Sequence, residues 1–347
     1  LNEIENLGIK KNKVQFLIAT GMHRPSTRDE KISLLGENIV NQYQIIDHKA
    51  EDKASLVRAP GKSNEGVDII LNKHYVEAGY RIVVSLVEPH FMAGFSGGRK
   101  MICPGLSSFD TIRRFHGFKM LSNQNARQAN LENNPCHEET MSVARQVPPD
   151  FAINIVMDNN RNITEAYAGE LFKSWQEAVN SVKSAACKQV TEKADIVVTG
   201  CGGYPLDATF YQCVKGFVAC LPALKDNGKI ICMGSCSEGI GGKEYEDLMK
   251  SFNGNWQKFL DNHKNPECFV KDQWQYQMHI RALMKTGLKN LYFLTDGLPK
   301  DELDMLSVNG IAVNKKEIAL AVEEIIRKSD AGKIAIFPEG PYCVPVE

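Results

Sequence analysis

The residues best suited to chemistry lie in one glycine-rich stretch, Glu88 to Lys100, which reads EPHFMAGFSGGRK. It contains an imidazole at His90 and ends in two cations, Arg99 and Lys100. Histidine exchanges protons near neutral pH, a lysine amine can be acylated, and glycines let a backbone approach a ligand closely. This combination predicts an active-site loop. The small residues that we expect to contact its ligand are Ser96, Gly97 and Gly98.

Two further histidines stand in positions that suit chemistry. His23 follows an apolar segment in the motif TGMHRP, and His116 ends a helix that is predicted to begin near Ser107 or Ser108. A protonated histidine at the C-terminus of a helix is stabilised by the helix dipole, and imidazole is also a common metal ligand. A structural role and a metal-binding role therefore both stay open for His116. Two histidines that face one substrate carbon from opposite sides are what a racemase or epimerase needs, and His23, His90 and His116 are the three candidates.

A third candidate is the helix that begins near Thr209, after the glycine-rich stretch 200–203. Gln212 and Lys215 are three positions apart on it, so both side chains lie on one face of the helix. An amide beside an ammonium suits a small carboxylate, whereas the alternative is a solvated polar stripe. The pattern alone leaves both open.

The elements that must position these residues follow an alternation of strands and helices. The apolar run 82–87 is predicted to be a buried strand that ends at Pro89, which has no N–H for a ladder. Similar alternation occurs on both sides of the polar segment 188–193, which predicts an α/β protein of two doubly wound domains, 1–190 and 191–347. Loops at the carboxyl ends of the strands would meet in a cleft that holds the active site.

Local signals add detail to this plan. Thr27 and Glu30 form a predicted capping box at a helix start. Strands are predicted at 13–20, 42–47, 67–71, 151–157, 163–167, 194–199, 229–233, 290–294, 311–313 and 333–337. Helices are predicted at 72–79, 170–187, 243–251, 272–286, 301–306 and 316–328. His48 and His74 lie in polar surroundings, which predicts surface positions for both.

Composition excludes several classes of protein. Of 347 residues, 43% are hydrophobic and 24% charged, which is typical of a globular chain, and the net charge of −1 gives no signal for nucleic-acid binding. No apolar stretch is long enough to span a membrane, and no signal peptide is recognisable. Ten cysteines without a C-x-x-C pair indicate a reducing, cytoplasmic compartment.

Known motifs for other chemistries are incomplete. Gly94 to Lys100 lacks the spacing and the hydroxyl of a phosphate-binding P-loop, and no G-x-S-x-G hydrolase elbow occurs. The stretches 200–203 and 239–242 do not complete G-x-G-x-x-G, which leaves an NAD-dependent 2-hydroxyacid oxidoreductase as a weaker alternative. A non-catalytic α/β protein that binds small anions is the other alternative.

The sequence resembles the nickel-pincer-dependent lactate racemases and their 2-hydroxyacid racemase relatives over nearly the whole chain. The segments that carry the resemblance are TGMHRP at 20–25, EPHFMAGFSGGRK at 88–100, His116, NPCH at 134–137 and TFYQCVKG at 209–216. The family has two α/β domains with the active site between them. Its members also carry a D-x-T/S-R-P-like motif before the first strand seen here, so we expect this sequence to be N-terminally incomplete.

The resemblance implies a role for each candidate residue. Lys100 would carry the cofactor covalently, a pyridinium-3-thioamide-5-thiocarboxylic acid mononucleotide that binds nickel as a pincer, and His116 would be the protein ligand of the metal. His23 and His90 would be the paired acid and base. The substrate would be bound by Tyr211, Gln212, Lys215 and Trp274.

The implied reaction is racemisation of a 2-hydroxyacid, with lactate as the first expectation. The Cα hydrogen would leave as a hydride to the cofactor while a histidine takes the hydroxyl proton, and the planar 2-oxoacid could then be reduced on either face. The implied partners are this small substrate and the enzymes that mature the cofactor.

Overall fold

The computed structural model describes residues 1–330 and 332–346 of the chain. Its strands, in chain order, are β1 Gln15–Ile18, β2 Gln44–Asp47, β3 Leu56–Lys62, β4 Asp68–Asn72, β5 Ile82–Leu86, β6 Pro89–His90, β7 Gly94–Phe95, β8 Phe151–Met157, β9 Ile163–Gly169, β10 Cys187–Gln189, β11 Ala194–Gly200, β12 Leu224–Met233, β13 Leu291–Thr295, β14 Asn309–Ala312, β15 Ile334–Phe337 and β16 Val344–Val346.

The helices alternate with these strands. They are α1 Asn2–Asn6, α2 Arg28–Leu35, α3 Glu37–Gln42, α4 Lys73–Val76, α5 Phe109–Phe115, α6 Phe118–Ser122, α7 Pro135–Gln146, α8 Leu171–Ala186, α9 Phe210–Ala219, α10 Lys243–Phe252, α11 Trp256–His263, α12 Gln273–Thr286, α13 Lys300–Leu303 and α14 Ile318–Arg327. Within the described residues, no helix is long and apolar enough to cross a membrane.

The chain divides into two compact units that are interleaved in sequence. The first unit comprises Leu1–Val87, Gly97–Phe115 and His137–Ala178, and the second comprises Glu88–Ser96, His116–Cys136 and Val179–Glu347. This differs from the single boundary expected near residue 190. Hydrogen bonds explain the difference. Arg281 of α12 donates to the carbonyls of Leu121, Asn123 and Ala126, and the N–H of Ala129 donates to the carbonyl of Gly94 at 3.0 Å, which joins both short segments to the second unit.

The first unit contains several small sheets. β1 and β2 pair in parallel, β3 and β4 pair antiparallel, and β8 lies between a parallel β5 and an antiparallel β9. The α/β class is confirmed, but the strands of this unit do not form one continuous parallel sheet among its described residues. Its core packs Leu71, Ile102, Val143 and Leu171 together with neighbouring apolar side chains.

The second unit is built on a five-stranded parallel sheet in the order β14, β13, β12, β11, β15. Both faces are covered, since α14 packs with Ile231 and Leu294 while α9 and α12 pack together and against β12. Parallel strands covered on both faces read as continuous apolar runs, which is why ADIVVT at 194–199 was recognisable as a strand.

Most of the predicted strands and helices are confirmed, and several features differ. Thr27 accepts from the N–H of Glu30 in the predicted capping box, and β8 has the predicted bounds. The prediction that His48 is at the surface is wrong: its side chain is buried and bonds the carbonyl of Ser107 at 2.8 Å through Nε2. Helix α5 ends at Phe115, so His116 lies in the turn after it. The elements β3, β16, α3, α6 and α11 were not predicted.

Candidate active site

The segment that carries His90 is closed at its base by a pair of hydrogen bonds. The N–H of Ser96 donates to the carbonyl of Glu88 at 2.8 Å, and the N–H of Glu88 donates to Oγ of Ser96 at 2.9 Å. Inside this loop, Nδ1 of His90 accepts from the N–H groups of Met92 at 3.3 Å and Ala93 at 3.2 Å. A neutral imidazole that accepts at Nδ1 carries its proton on Nε2. His90 therefore presents an N–H donor at Nε2.

The two glycines that follow, in the first unit, make close contacts with the chain itself. Gly97 has φ +70°, and a Cβ there would meet the carbonyl oxygen of Leu86 at 2.7 Å. Gly98 has φ +50°, and a Cβ there would meet the Trp175 ring at 2.5 Å. Only glycine fits such positions without strain. The contact of Ser96, Gly97 and Gly98 with a cofactor stays a prediction, and the structure gives each of them a structural role.

A buried polar network holds Gly98 in place. Its N–H donates to Oγ of Ser85 at 2.8 Å, and that hydroxyl donates to Oδ1 of Asn154 at 2.8 Å. Asn154 in turn donates from Nδ2 to Oγ of Ser174 at 3.0 Å, which donates to the carbonyl of Glu170. A buried network with every member bonded is rigid. The backbone just before Lys100 is therefore fixed from beneath by β5, β8 and α8.

Arg99 is clamped beside this network. Its guanidinium is fully buried and lies 3.8 Å from the centre of the Trp175 ring, and its Nη2 lies 3.2 Å from Nδ1 of His137. The His137 ring also stacks on the ring of Trp175, with the ring centres 5.7 Å apart and 22° between the planes. The sequence left His137 without a role, and Trp175 carried no signal beyond its apolar helix face.

Lys100 lies in a short 3-10 helix, Gly98–Met101, and is connected to the turn that carries His23. The N–H of Gly105 donates to the carbonyl of Lys100 at 3.0 Å, and the N–H of Gly21 donates to the carbonyl of Gly105 at 3.0 Å. His23 itself is exposed, two residues beyond Gly21. The first unit thus brings the predicted cofactor lysine close in structure to the turn of one predicted acid–base histidine.

In the second unit, three predicted site residues form a connected group. The imidazole of His116 lies 4.4 Å from the indole of Trp274, centre to centre, with 33° between the planes. The Nε1–H of Trp274 donates to the hydroxyl of Tyr211 at 2.9 Å. Burial and the nearby Asp272 raise the pKa of Tyr211, so its phenol stays protonated near neutral pH. Trp274, which had little sequence context, thereby connects α12 to α9.

Gln212 and Lys215 lie one turn apart on α9, as predicted. The Oε1 of Gln212 is buried and has no hydrogen-bond partner within the described residues. The ammonium of Lys215 lies 5.8 Å from the centre of the Phe91 ring, next to His90. Burial lowers the pKa of Lys215, and the negative charge of Glu88 opposes that shift. A partly buried cation and an unsatisfied amide oxygen on one helix face need a polar ligand. The sequence did not single out Phe91, although it lies within the predicted loop.

The side chains near His116 fit a metal whose other ligands come from a bound cofactor. No group of three or more His, Cys, Asp or Glu side chains could hold a metal ion in residues 1–330 and 332–346. A single imidazole at His116 suits nickel, which accepts nitrogen ligands, but the remaining donors would have to come from a bound cofactor. The ten cysteines are all free thiols.

Comparisons with known proteins point in one direction. The model of the lactate racemase N-terminal domain matches residues 1–129, and that of the lactate racemase C-terminal domain matches 189–344. The lactate racemase of Lactiplantibacillus plantarum is 32% identical over 94% of this chain and 76% of its own length. That of Thermoanaerobacterium thermosaccharolyticum is 34% identical over 95% of this chain and 77% of its own length.

Solved structures agree with these matches. The structure of the lactate racemase apoprotein from Thermoanaerobacterium thermosaccharolyticum superposes with a TM-score of 0.87 at 32% identity, covering 96% of this chain and 79% of that one. A crystal structure of a protein from Thermotoga maritima has a TM-score of 0.70 at 15% identity and covers 99% of this chain and 88% of that one. At that identity the second match shows a shared fold alone.

Proposed function

This chain belongs to the lactate racemase family and is an isomerase, and from that premise we propose that it interconverts the enantiomers of lactate. The observation that carries the proposal is the polar face of α9, where Oε1 of Gln212 is unsatisfied and Lys215 lies 5.8 Å from the ring of Phe91, the residue after His90. These groups suit a small anion that also carries a hydroxyl.

The substrate would be held by its charge and its hydroxyl. The Lys215 ammonium would bind the carboxylate in a charge-assisted hydrogen bond, which is stronger than a neutral one. Gln212, whose buried Oε1 has no partner, would turn its amide so that Nε2 donates to the same carboxylate, which leaves the hydroxyl proton to His23. Tyr211 and Trp274 would form an apolar wall next to the small side chain of lactate.

His23 and His90 would act on the substrate hydroxyl in different ways. His90 begins a turnover as a hydrogen-bond donor at Nε2, because its Nδ1 already accepts from Met92 and Ala93. We assign the first acceptance of the hydroxyl proton to His23, which is exposed. His90 would hold the substrate oxygen through its Nε2–H, and the proton taken by His23 would return to that oxygen when the opposite enantiomer forms. A proton acceptor and donor in reach of one oxygen supply general acid–base catalysis.

The cofactor would be the nickel-pincer nucleotide, bound covalently at Lys100 and with His116 as protein ligand of the metal. When bound, it supplies reversible acceptance of the Cα hydrogen as a hydride. The protein supports this chemistry by fixing the backbone before Lys100 through Ser85 and by holding the His116 ring against Trp274. Enzymes that mature the cofactor would be obligatory partners.

The compartment follows from the thiols. Ten free cysteines, most of them buried, are typical of a reducing environment, so we propose a cytoplasmic location.

The experiment is chiral chromatography of single-enantiomer 2-hydroxyacids after incubation with protein that was co-expressed with the maturation enzymes. We expect lactate to racemise without added NAD. Formation of pyruvate only when NAD is present would identify an oxidoreductase instead. Lactate binding without turnover would identify a non-catalytic anion-binding protein. Epimerisation of sugars but not of hydroxyacids would contradict the carboxylate assignment of Lys215.

A further inference from the structure

One face of α12 carries three side chains that all contact the segment 116–126, which begins with His116. Trp274, Gln277 and Arg281 stand at positions i, i+3 and i+7, which lie on the same side of an α-helix. The segment they contact, 116–126, belongs to the same compact unit. It contains the turn of His116, then α6, and then a loop.

The contacts are specific. Trp274 stacks on the His116 ring at 4.4 Å, and Nε2 of Gln277 donates to the carbonyl of Phe118 at 3.1 Å. Arg281 donates from Nη1 to the carbonyl of Ala126 at 2.7 Å and from Nη2 to two further carbonyls. Those two acceptors are Leu121 and Asn123. A single guanidinium therefore holds three backbone groups that follow His116.

Arg281 is suited to this task. Its planar fork of N–H donors can bond several carbonyls at once, which an ammonium cannot do in the same geometry. The carbonyls of Leu121 and Asn123 lie at the C-terminal end of α6, where the helix dipole also stabilises a positive charge. Burial lowers the pKa of Arg281 to about 10, which leaves it charged at neutral pH. Because α6 has only five residues and no side-chain cap at Gly117, its position depends on such outside contacts.

We propose that Arg281, assisted by Gln277, is a positioning residue for His116 that fixes the imidazole in the orientation needed to bind nickel. The inference rests on the proposed function, in which His116 is the protein ligand of the metal. Trp274 sets the distance of the ring from α12, while Arg281 and Gln277 fix the backbone to which that ring is attached. Without them, α6 can move relative to α12, and the single imidazole loses its fixed direction.

The test separates this role from general stability by measuring two quantities on the same protein. Each variant is co-expressed with the maturation enzymes. Intact mass gives the amount of adduct on Lys100, and elemental analysis gives the nickel per protein. A variant that is only less stable would lose adduct and nickel together. A variant with a misdirected His116 keeps the adduct and loses nickel.

For Arg281→Met we expect the adduct to persist while the ratio of nickel to adduct falls by up to about tenfold, the usual effect of removing a group that orients a metal ligand. Arg281→Lys should fall between this variant and the wild type. The matched control is Lys285→Met, one turn further along α12, where the lysine faces Asp226 at 3.5 Å and contacts none of the 116–126 carbonyls. It should keep the wild-type ratio of nickel to adduct.

Gln277→Met removes only one hydrogen bond and should also lower the ratio of nickel to adduct. It provides the test if Arg281→Met does not fold. A wild-type ratio in both Arg281→Met and Gln277→Met, with nickel lost in His116→Ala, would overturn this inference alone. Retention of nickel in His116→Ala would overturn the proposed ligand and this inference together. An equal fall in Lys285→Met would also overturn the inference, since loss of any cation on α12 would then suffice.

Discussion

The guanidinium of Arg99 lies 3.8 Å above the ring of Trp175, in a site from which solvent is excluded at both residues. Burial of a guanidinium is costly unless it is compensated, and burial lowers the pKa of Arg99 accordingly. The indole face supplies that compensation by a cation–π interaction. The residue directly before the proposed cofactor lysine is thus held by an aromatic ring on α8.

Trp175→Phe should destabilise the protein, because a smaller ring leaves space above the buried cation and weakens the cation–π contact. We expect a loss of roughly 2–3 kcal/mol in the free energy of unfolding, measured by urea denaturation of the apoprotein. Trp256→Phe is the control, since Trp256 is only half-buried at the start of α11. Equal losses in the two variants would show that the Arg99–Trp175 contact contributes little.

Gly98→Ala should be far more harmful than an average glycine substitution. The new Cβ would approach the Trp175 ring at 2.5 Å, and the residue would have to keep a φ of +50°. Together these effects should cost roughly 2–4 kcal/mol of unfolding free energy. Gly79→Ala, where a Cβ meets open space, should change stability by less than about 1 kcal/mol. Denaturant titration of both variants checks the comparison, and a harmless Gly98→Ala would contradict the geometry of the loop.

His90 and His23 should differ in their tolerance of glutamine. The amide N–H of a glutamine can replace the Nε2–H donor that His90 presents, but an amide cannot accept a proton in place of His23. We expect His90→Gln to keep at least about tenfold more kcat than His23→Gln, within the 10²–10⁴ range of general acid–base effects. Initial rates from each lactate enantiomer give the measurement. The reverse order would assign first proton acceptance to His90.

Lys215 should give the Michaelis constant a dependence on pH. Burial lowers its pKa below the ordinary lysine value of 10.5, so the ammonium is lost at a lower pH than in an exposed lysine. As the pH rises through that pKa, KM for lactate should increase because the carboxylate loses its cation. Lys215→Arg should remove this alkaline increase, since a guanidinium stays protonated. Lys215→Met should weaken binding by roughly 2–5 kcal/mol at neutral pH. An unchanged KM in Lys215→Met would show that the carboxylate binds elsewhere.

The sequence predicted those parts of the fold that depend on local pattern. Apolar runs gave β5, β8 and β11 nearly to the residue, and the Thr27 capping box followed from side chains three positions apart. The interleaving of the two units could not be predicted this way. It depends on hydrogen bonds between distant segments, such as that of Ala129 with Gly94, and no periodicity reports such pairs.

The candidate site divides in the same manner. The spacing of Gln212 and Lys215 predicted their shared helix face, which the structure confirms, whereas the cofactor role that the loop motif suggests for Lys100 stays a prediction. Contacts between residues that are distant in sequence, such as Arg99 and Trp175, could not be predicted from either residue alone. Buried His48 shows the opposite error, because its polar neighbours in sequence are not its neighbours in space: Asn72 bonds its Nδ1 at 3.1 Å.

In the proposed reaction, lactate is racemised by removal and return of the Cα hydrogen as a hydride. Its most direct test is racemisation of L-lactate in D₂O by the matured protein, followed by chiral chromatography with mass detection. We expect D-lactate to form with its Cα hydrogen retained and no gain of deuterium at that carbon. D-lactate with deuterium at Cα, or no D-lactate at all from protein with a complete Lys100 adduct and nickel, would contradict it.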